Sequence, residues 1–276
     1  MTRDNYELQS SFVSTKNEPW FGLGHYKKYP DMYEAYKSFS EKYDISTNNF
    51  ILTNGGENAV RWALLGLNAK NIKIEHPSWR LIETMCEAFN IKYSFFNYHF
   101  YKGMFYPDST DDDDLVYTTD TYNNLFEHLN IVHAGPAIID ETYTMATLND
   151  KYRILRDDQI IVGSFSKVCG PGYRLGYCLF SDKHSEKMHM LREQYIGSDA
   201  ADLIINPYKI IPIGADDINT KLNLVSVHPV YLTFQIDDLP VPHKKFKVDG
   251  VNFCRINTTN DIKKQVKKLE RLLLKD

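Results

Sequence analysis

Short apolar runs alternate with helical patterns through the first two-thirds of the chain. Asn49 to Thr53 (NFILT) reads as a short buried strand; it runs into Asn54-Gly55-Gly56, after which Glu57 to Leu67 carries apolar residues at helical spacing. Asn71 to Glu75 (NIKIE) predicts a second strand, stopped by Pro77, and Arg80 to Phe89 a helix. Ile91 to Phe96 predicts a third strand. Further on, Ala137 to Ile139 ends at Asp140-Glu141, Gln159 to Gly163 ends at Ser164, and Leu175 to Phe180 follows a glycine-rich turn. Strands alternating with helices predict an α/β fold, a mostly parallel sheet with helices on both faces. In such sheets ligands collect at the carboxyl ends of the strands. Polar residues directly after apolar runs are therefore the candidates for function. Past this region, Ser185 to Tyr195 reads as helix and the Pro- and Lys-rich stretch from Ile236 to Lys247 as loop. Asp261 to Leu274 predicts an amphipathic helix with Ile262, Val266, Leu269 and Leu273 on one side.

Composition narrows the classes. With 276 residues, 43% of them hydrophobic and 25% charged, the chain can bury a core without staples. A formal charge of -4 argues against a general nucleic-acid binder. No apolar run approaches a membrane span, and the first residues lack the apolar segment of a secretory signal. The expectation is a cytoplasmic protein with no membrane partner. Cys86, Cys169, Cys178 and Cys254 form no CxxC pair, so free thiols are expected and no metal site is predicted. The acidic run Asp108 to Asp114 (DSTDDDD) reads as a solvated loop.

Four stretches carry candidate chemistry. In Gly163 to Gly176 (GSFSKVCGPGYRLG), Lys167 stands just past a buried strand, between Ser164, Ser166 and a glycine-rich turn, with Arg174 downstream. A lysine in a desolvated cleft can act as an amine nucleophile toward a carbonyl. Hydroxyls and a guanidinium suit a phosphate. A surface turn with a solvated lysine would have the same letters. In Ala137 to Tyr143 (AIIDETY), Asp140 ends an apolar strand, where a carboxylate is costly without a cationic partner. A protonated pyridine nitrogen would be such a partner, and Tyr143 could offer a phenol; a helix cap or an ion pair is the plainer reading of a strand-end Asp. Gly55, Gly56 and Glu57 stand at a strand-to-helix junction, where exposed N–H groups make an anion cup. Trp79, in Glu75-His76-Pro77-Ser78-Trp79, presents a flat ring for stacking or for the core.

Taken in order, TNGGENA, EHPSW, IDETY, and SFSK with PGYRLGY resemble the fold-type I enzymes that use pyridoxal 5'-phosphate. The sequence looks most like the class I/II aminotransferases, nearest to the histidinol-phosphate aminotransferase branch. Asn17 to Gly22 resembles that branch's N-E-x-P-x-G entry segment, and Tyr29-Pro30-Asp31 with Tyr33 to Tyr43 its Y-P-D segment and first helix. Phe253 to Asn257 resembles the strand that bears a substrate-binding arginine.

The resemblance implies the roles. Lys167 would carry the cofactor as a Schiff base and move protons. Asp140 would hold the pyridine nitrogen protonated, and Tyr143 would bond the ring's phenolic oxygen. Gly55, Gly56, Glu57, Ser164, Ser166 and Arg174 would bind the phosphate, and Trp79 would stack on the ring. Tyr29 would reach the phosphate of a neighbouring subunit, which implies a homodimer with shared sites. Arg255 and Asn17 would bind the substrate. The implied reaction moves an amino group between an amino acid and a keto or aldehyde acceptor. The implied organisation is an N-terminal arm (1–26) packed with the small domain and substrate site, a large cofactor domain (27–190) and a reduced α+β small domain (191–276).

Two departures stand out. The family's N-P-x-G is missing; Thr121 falls nearest its asparagine, with Asp120 beside it and Asn123 a less favoured substitute. The chain is also short for the family, with deficits between Phe96 and Leu115 and between Arg192 and Val230. These departures keep two alternatives open: a decarboxylase, lyase or racemase on the same fold, and a degenerate member that binds the cofactor without turnover.

Overall fold

A computed structural model describes residues 32–101, 104–108, 114–119, 135–143, 156–167, 173–192, 196, 200–205, 218–228, 231–237, 244–257 and 262–274. Its first part alternates as the sequence predicts: α1 (Met32–Tyr43), β1 (Phe50–Thr53), α2 (Gly56–Gly66), β2 (Asn71–His76), α3 (Leu81–Ala88) and β3 (Lys92–Tyr101). Then come β4 (Met104–Pro107), β5 (Val116–Thr119), β6 (Ala137–Asp140), β7 (Gln159–Ser164), β8 (Gly176–Phe180) and α4 (Asp182–Leu191). After α5 (Ala200–Ile205), the chain forms β9 (Asn223–His228), β10 (Tyr231–Ile236), β11 (Lys244–Val248), β12 (Val251–Asn257) and α6 (Ile262–Leu273).

The large sheet has the order β1-β8-β7-β6-β5-β2-β3-β4. The contiguous block β7-β6-β5-β2-β3 is parallel, whereas β8 and β4 run antiparallel to their neighbours. Alternate residues of each strand feed two cores. Phe50, Leu52, Ile161, Tyr177 and Leu179 pack with Ala35 and Phe39 of α1 and Leu203 and Ile204 of α5. Ile51, Ile160, Val162, Cys178 and Phe180 pack with Val60 and Leu64 of α2, Ile82 and Met85 of α3, and Met188 of α4. A strand's period of two explains both the split and the near-continuous apolar letters of a sheet covered on both faces.

The second sheet is antiparallel, in the order β11-β12-β10-β9. Leu232, Phe234, Cys254 and Ile256 meet Val266 and Leu269 of α6 on one face. On the other, Val248 and Phe253 pack with Phe96, Tyr98 and Val116 of the large sheet. Arg255 shares a face with Phe253, so the strand alternation turns it toward the large sheet.

Two local readings change. The stretch read as loop from Ile236 to Lys247 includes β11, whose Lys-Lys-Phe-Lys-Val letters pair along β12. Three lysines in five residues hide the short alternation of Phe246 and Val248; the pairing partner makes the strand. The third strand also runs on from Phe96 to Tyr101 and turns back into β4. Cys86, Cys178 and Cys254 are buried thiols in no disulfide among the described residues, and Cys169 lies outside those residues. Among the described residues, no helix is long and apolar enough to cross a membrane.

Candidate active site

The carboxyl ends of β2, β5, β6 and β7 open together beside the start of α2. A cavity of about 430 Å³ lies there, within the usual size of a small-ligand site. Its walls bring together Gly56, Glu57, Trp79, Asp140, Tyr143, Ser164, Ser166, Lys167, Arg174 and Arg255. Ten residues singled out in the sequence thus meet in one place, although Gly56 and Arg255 are about two hundred positions apart.

The anion cup is built by close approach. Gly55 has φ 88°, a left-handed value that costs other residues strain. The Arg174 guanidinium lies over it and donates to Asn54 O at 2.9 Å; a Cβ on Gly55 would sit 2.7 Å from Arg174 Nη2. Gly176 lets β8 pass against the same turn, since its Cβ would meet the Gly55 carbonyl carbon at 2.5 Å. Ser164 and Ser166 share a hydrogen bond at 2.7 Å beside the first turn of α2. Helix N–H groups, two hydroxyls and a guanidinium then surround one spot.

Asp140 closes β6 and is buried. Tyr117 O–H donates to Oδ2 at 2.7 Å and Thr142 N–H to Oδ1 at 2.9 Å. Burial pushes its carboxyl above the usual carboxylate range, while those bonds and the Lys167 charge pull it back. Lys167 Nζ lies 5.0 Å from the centre of the Tyr143 ring. Behind this layer, Tyr177 O–H donates to the buried Glu141. Glu75 is buried with Tyr98, Thr118 and Thr119 hydroxyls around it.

Several further residues belong to this site. Thr119, Ser78, Arg80 and Thr142 line the cavity, and Tyr117 holds Asp140. The signal was present for Thr119, a polar residue closing the run VYTT. Tyr117 had none, because its partner sits across the sheet. Tyr29, Asn17 and Thr121 lie outside the described residues, as do Asp120, Asn123 and the 1–26 arm. A larger cleft, about 810 Å³, lies at the amino ends of the same strands and is lined by Lys70, Lys73, Lys92, Lys183 and Lys187. Lys167, the buried Asp140 and the glycine turn under Arg174 all lie at the other end, which makes the smaller cavity the candidate for chemistry.

The sequence matches no family model and no curated protein. Solved structures do match. Aspartate aminotransferase from Thermotoga maritima superposes with a TM-score of 0.66 at 16% identity, over 92% of this chain and 86% of that one. Histidinol-phosphate aminotransferase from Clostridium acetobutylicum gives 0.65 at 17% identity, over 97% and 93%. L-threonine-O-3-phosphate decarboxylase from Porphyromonas gingivalis gives 0.62 at 17% identity, over 99% and 96%. The chain has the fold of the type I pyridoxal-phosphate-dependent transferases. The four-stranded sheet contributes Arg255 to the cavity at the end of the eight-stranded sheet.

The residues present suit the cofactor of this fold type. The cup at Gly55, Gly56, Ser164, Ser166 and Arg174 matches a phosphate in charge and donors. At the cavity wall, Ser78 Oγ is buried with no hydrogen-bond partner among the described residues, a polar atom left for a ligand to satisfy. Asp140 offers a buried carboxylate to a ring cation, and Lys167 an amine to an aldehyde.

Proposed function

We propose that this protein is a pyridoxal 5'-phosphate-dependent aminotransferase that moves an amino group between an amino acid and a keto or aldehyde acceptor. The observation that carries this reading is the meeting of Lys167, Asp140, Tyr143, Arg174 and Arg255 in one cavity. When bound, the cofactor supplies an aldehyde and a ring that accepts electron density from a substrate carbon.

The chain supplies the rest. Ser164, Ser166, Arg174 and the N–H groups of Gly56 and Glu57 hold the phosphate. Asp140 holds a proton on the ring nitrogen, steadied by Tyr117 and Thr142. Trp79 would stack on the ring, and the Tyr143 O–H would donate to its phenolic oxygen. Lys167 Nζ would hold the cofactor and move the proton taken from the substrate carbon. Arg255 clamps the substrate carboxylate with both arms of its guanidinium. A cofactor contact from Thr121 and a substrate contact from Asn17, both implied by the family resemblance, complete the proposed roles. Tyr29 from a second copy reaches the phosphate, so the working unit is a homodimer.

A second reading is decarboxylation or another pyridoxal-phosphate reaction. It is favoured by the missing N-P-x-G and by the likeness to a decarboxylase over nearly the whole chain. One experiment separates the two. Protein reconstituted with the cofactor is mixed with single amino acids and its visible spectrum followed. Aminotransfer predicts a spectral change matched by keto-acid release, whereas CO2 release without keto acid supports the second reading. Lys167→Ala should lose the visible band that depends on the covalent link between Lys167 and the cofactor and turn over neither way; wild-type activity in that variant sinks both.

A further inference from the structure

Glu75 stands at the carboxyl end of β2 and is 0% exposed. Thr119 Oγ1 lies 2.7 Å from its Oε1, Thr118 Oγ1 3.0 Å from Oε2 and Tyr98 OH 3.4 Å from Oε2. The Thr119 backbone also bonds it, and the Asp140 carboxylate acts on it across β5. Hydrophobic packing has no use for a carboxyl here, since burying one is costly. Among the described hydroxyls that bond Glu75, Thr119 is the one that lines the cavity.

We propose that Glu75 is a positioning residue whose proton sets the direction of the Glu75–Thr119 hydrogen bond, and so decides whether the Thr119 hydroxyl meets the cavity as a donor or an acceptor. The neutral acid gives its O–H to Thr119 Oγ1, which frees the threonine's own hydrogen for a ligand oxygen. The carboxylate takes that hydrogen back and leaves the cavity only lone pairs.

The surroundings favour the neutral acid at ordinary pH. Burial, and then the Asp140 charge, push Glu75 up to about 8 against the pull of its hydroxyl partners. The titratable groups facing it are Tyr98 on β3, Tyr117 on β5 and Asp140 on β6, with Lys167 beyond Asp140. Both phenols are pushed upward by burial and stay neutral. Burial raises Asp140 as well, and the Thr142 and Tyr117 hydroxyls, the Thr142 N–H and the Lys167 charge pull it back.

The ligand part of the test rests on the cofactor reading above; the infrared part does not. In the ligand-free protein, the carbonyl stretch of a protonated carboxyl should fade as pH rises through about 8 and be missing in Glu75→Gln. Thr119→Val should shift that band, because it removes the acceptor. An unshifted band, or one retained in Glu75→Gln, overturns the proposal. Thr119→Val is nearly isosteric, so it remains decisive if Glu75→Gln does not fold.

Binding of 4'-deoxypyridoxine 5'-phosphate, which lacks the aldehyde, is then titrated at two pH values. Glu75→Gln carries an amide donor and should match wild type at low pH. Above about 8 it should bind about ten-fold more tightly than wild type, as one hydrogen bond to a charged oxygen predicts. In a Thr119→Val background the same exchange should change nothing. If it still does, the effect is the Glu75 charge itself and the proposal falls. If no variant binds the probe while the infrared shifts appear, the cofactor reading fails and the Glu75–Thr119 bond stands.

Discussion

Single side chains at the floor of the cavity govern its charge. Tyr117 is wholly buried and gives its one donor to Asp140. Tyr117→Phe should therefore lower unfolding free energy by about 1–3 kcal/mol, the cost of leaving a buried group unsatisfied, as read from denaturant melts. Glu75 links the same floor to pH. Its carboxyl is raised from 4.5 to about 8, so between those values the folded protein binds a proton that the unfolded chain has lost. This contribution is complete below 4.5 and is lost as pH rises toward about 8, beyond which it no longer changes. Thermal midpoints of wild type should fall across that window relative to Glu75→Gln. Neither residue announced its role in the sequence: a Glu at the end of NIKIE reads as a strand terminus, and the hydroxyls that receive it lie more than twenty positions away.

At the scale of elements, the strand-to-helix turn between β1 and α2 does the most with the least. Its function depends on a left-handed Gly55, on Gly176 passing behind, and on Arg174 folding over both. Gly55→Ala should cost more than about 1 kcal/mol of stability, from its φ alone. It should also weaken cofactor binding by displacing the Arg174 side chain, a change visible in a fluorescence titration. The elements themselves were largely legible. The buried strands and α6 appear where apolar period and glycine punctuation put them, because those patterns are imposed locally by one covered face or two. The strand β11 was not, since a sequence of lysines becomes a strand only beside β12.

For the molecule as a whole, the decisive event is the meeting of two sheets. Phe253 and Val248 seat the smaller sheet against Phe96 and Tyr98, and the alternation of β12 then delivers Arg255 to a cavity made by the other sheet. On the proposed function, Arg255→Ala should raise KM for the amino donor by about ten-fold or more, the value of a charge-assisted pair, with cofactor affinity unchanged. Steady-state kinetics beside a cofactor titration separates the two effects.

The sequence by itself determined which residues are apolar at which period, and hence the alternating elements and the polar residues that close them. It also carried Lys167, Asp140 and Arg174 as separate marks, because each follows a local signal of strand end or glycine turn, whereas Arg255 was marked by the family resemblance alone. Only the tertiary structure decided that these marks share one cavity. Strand order, the facing of β12 and the stacking of carboxyl under hydroxyl between Glu75 and Thr119 all depend on residues far apart in the chain. Hydrogen bonds and desolvation act across such distances only after the chain has closed, which is why no window of letters contains them.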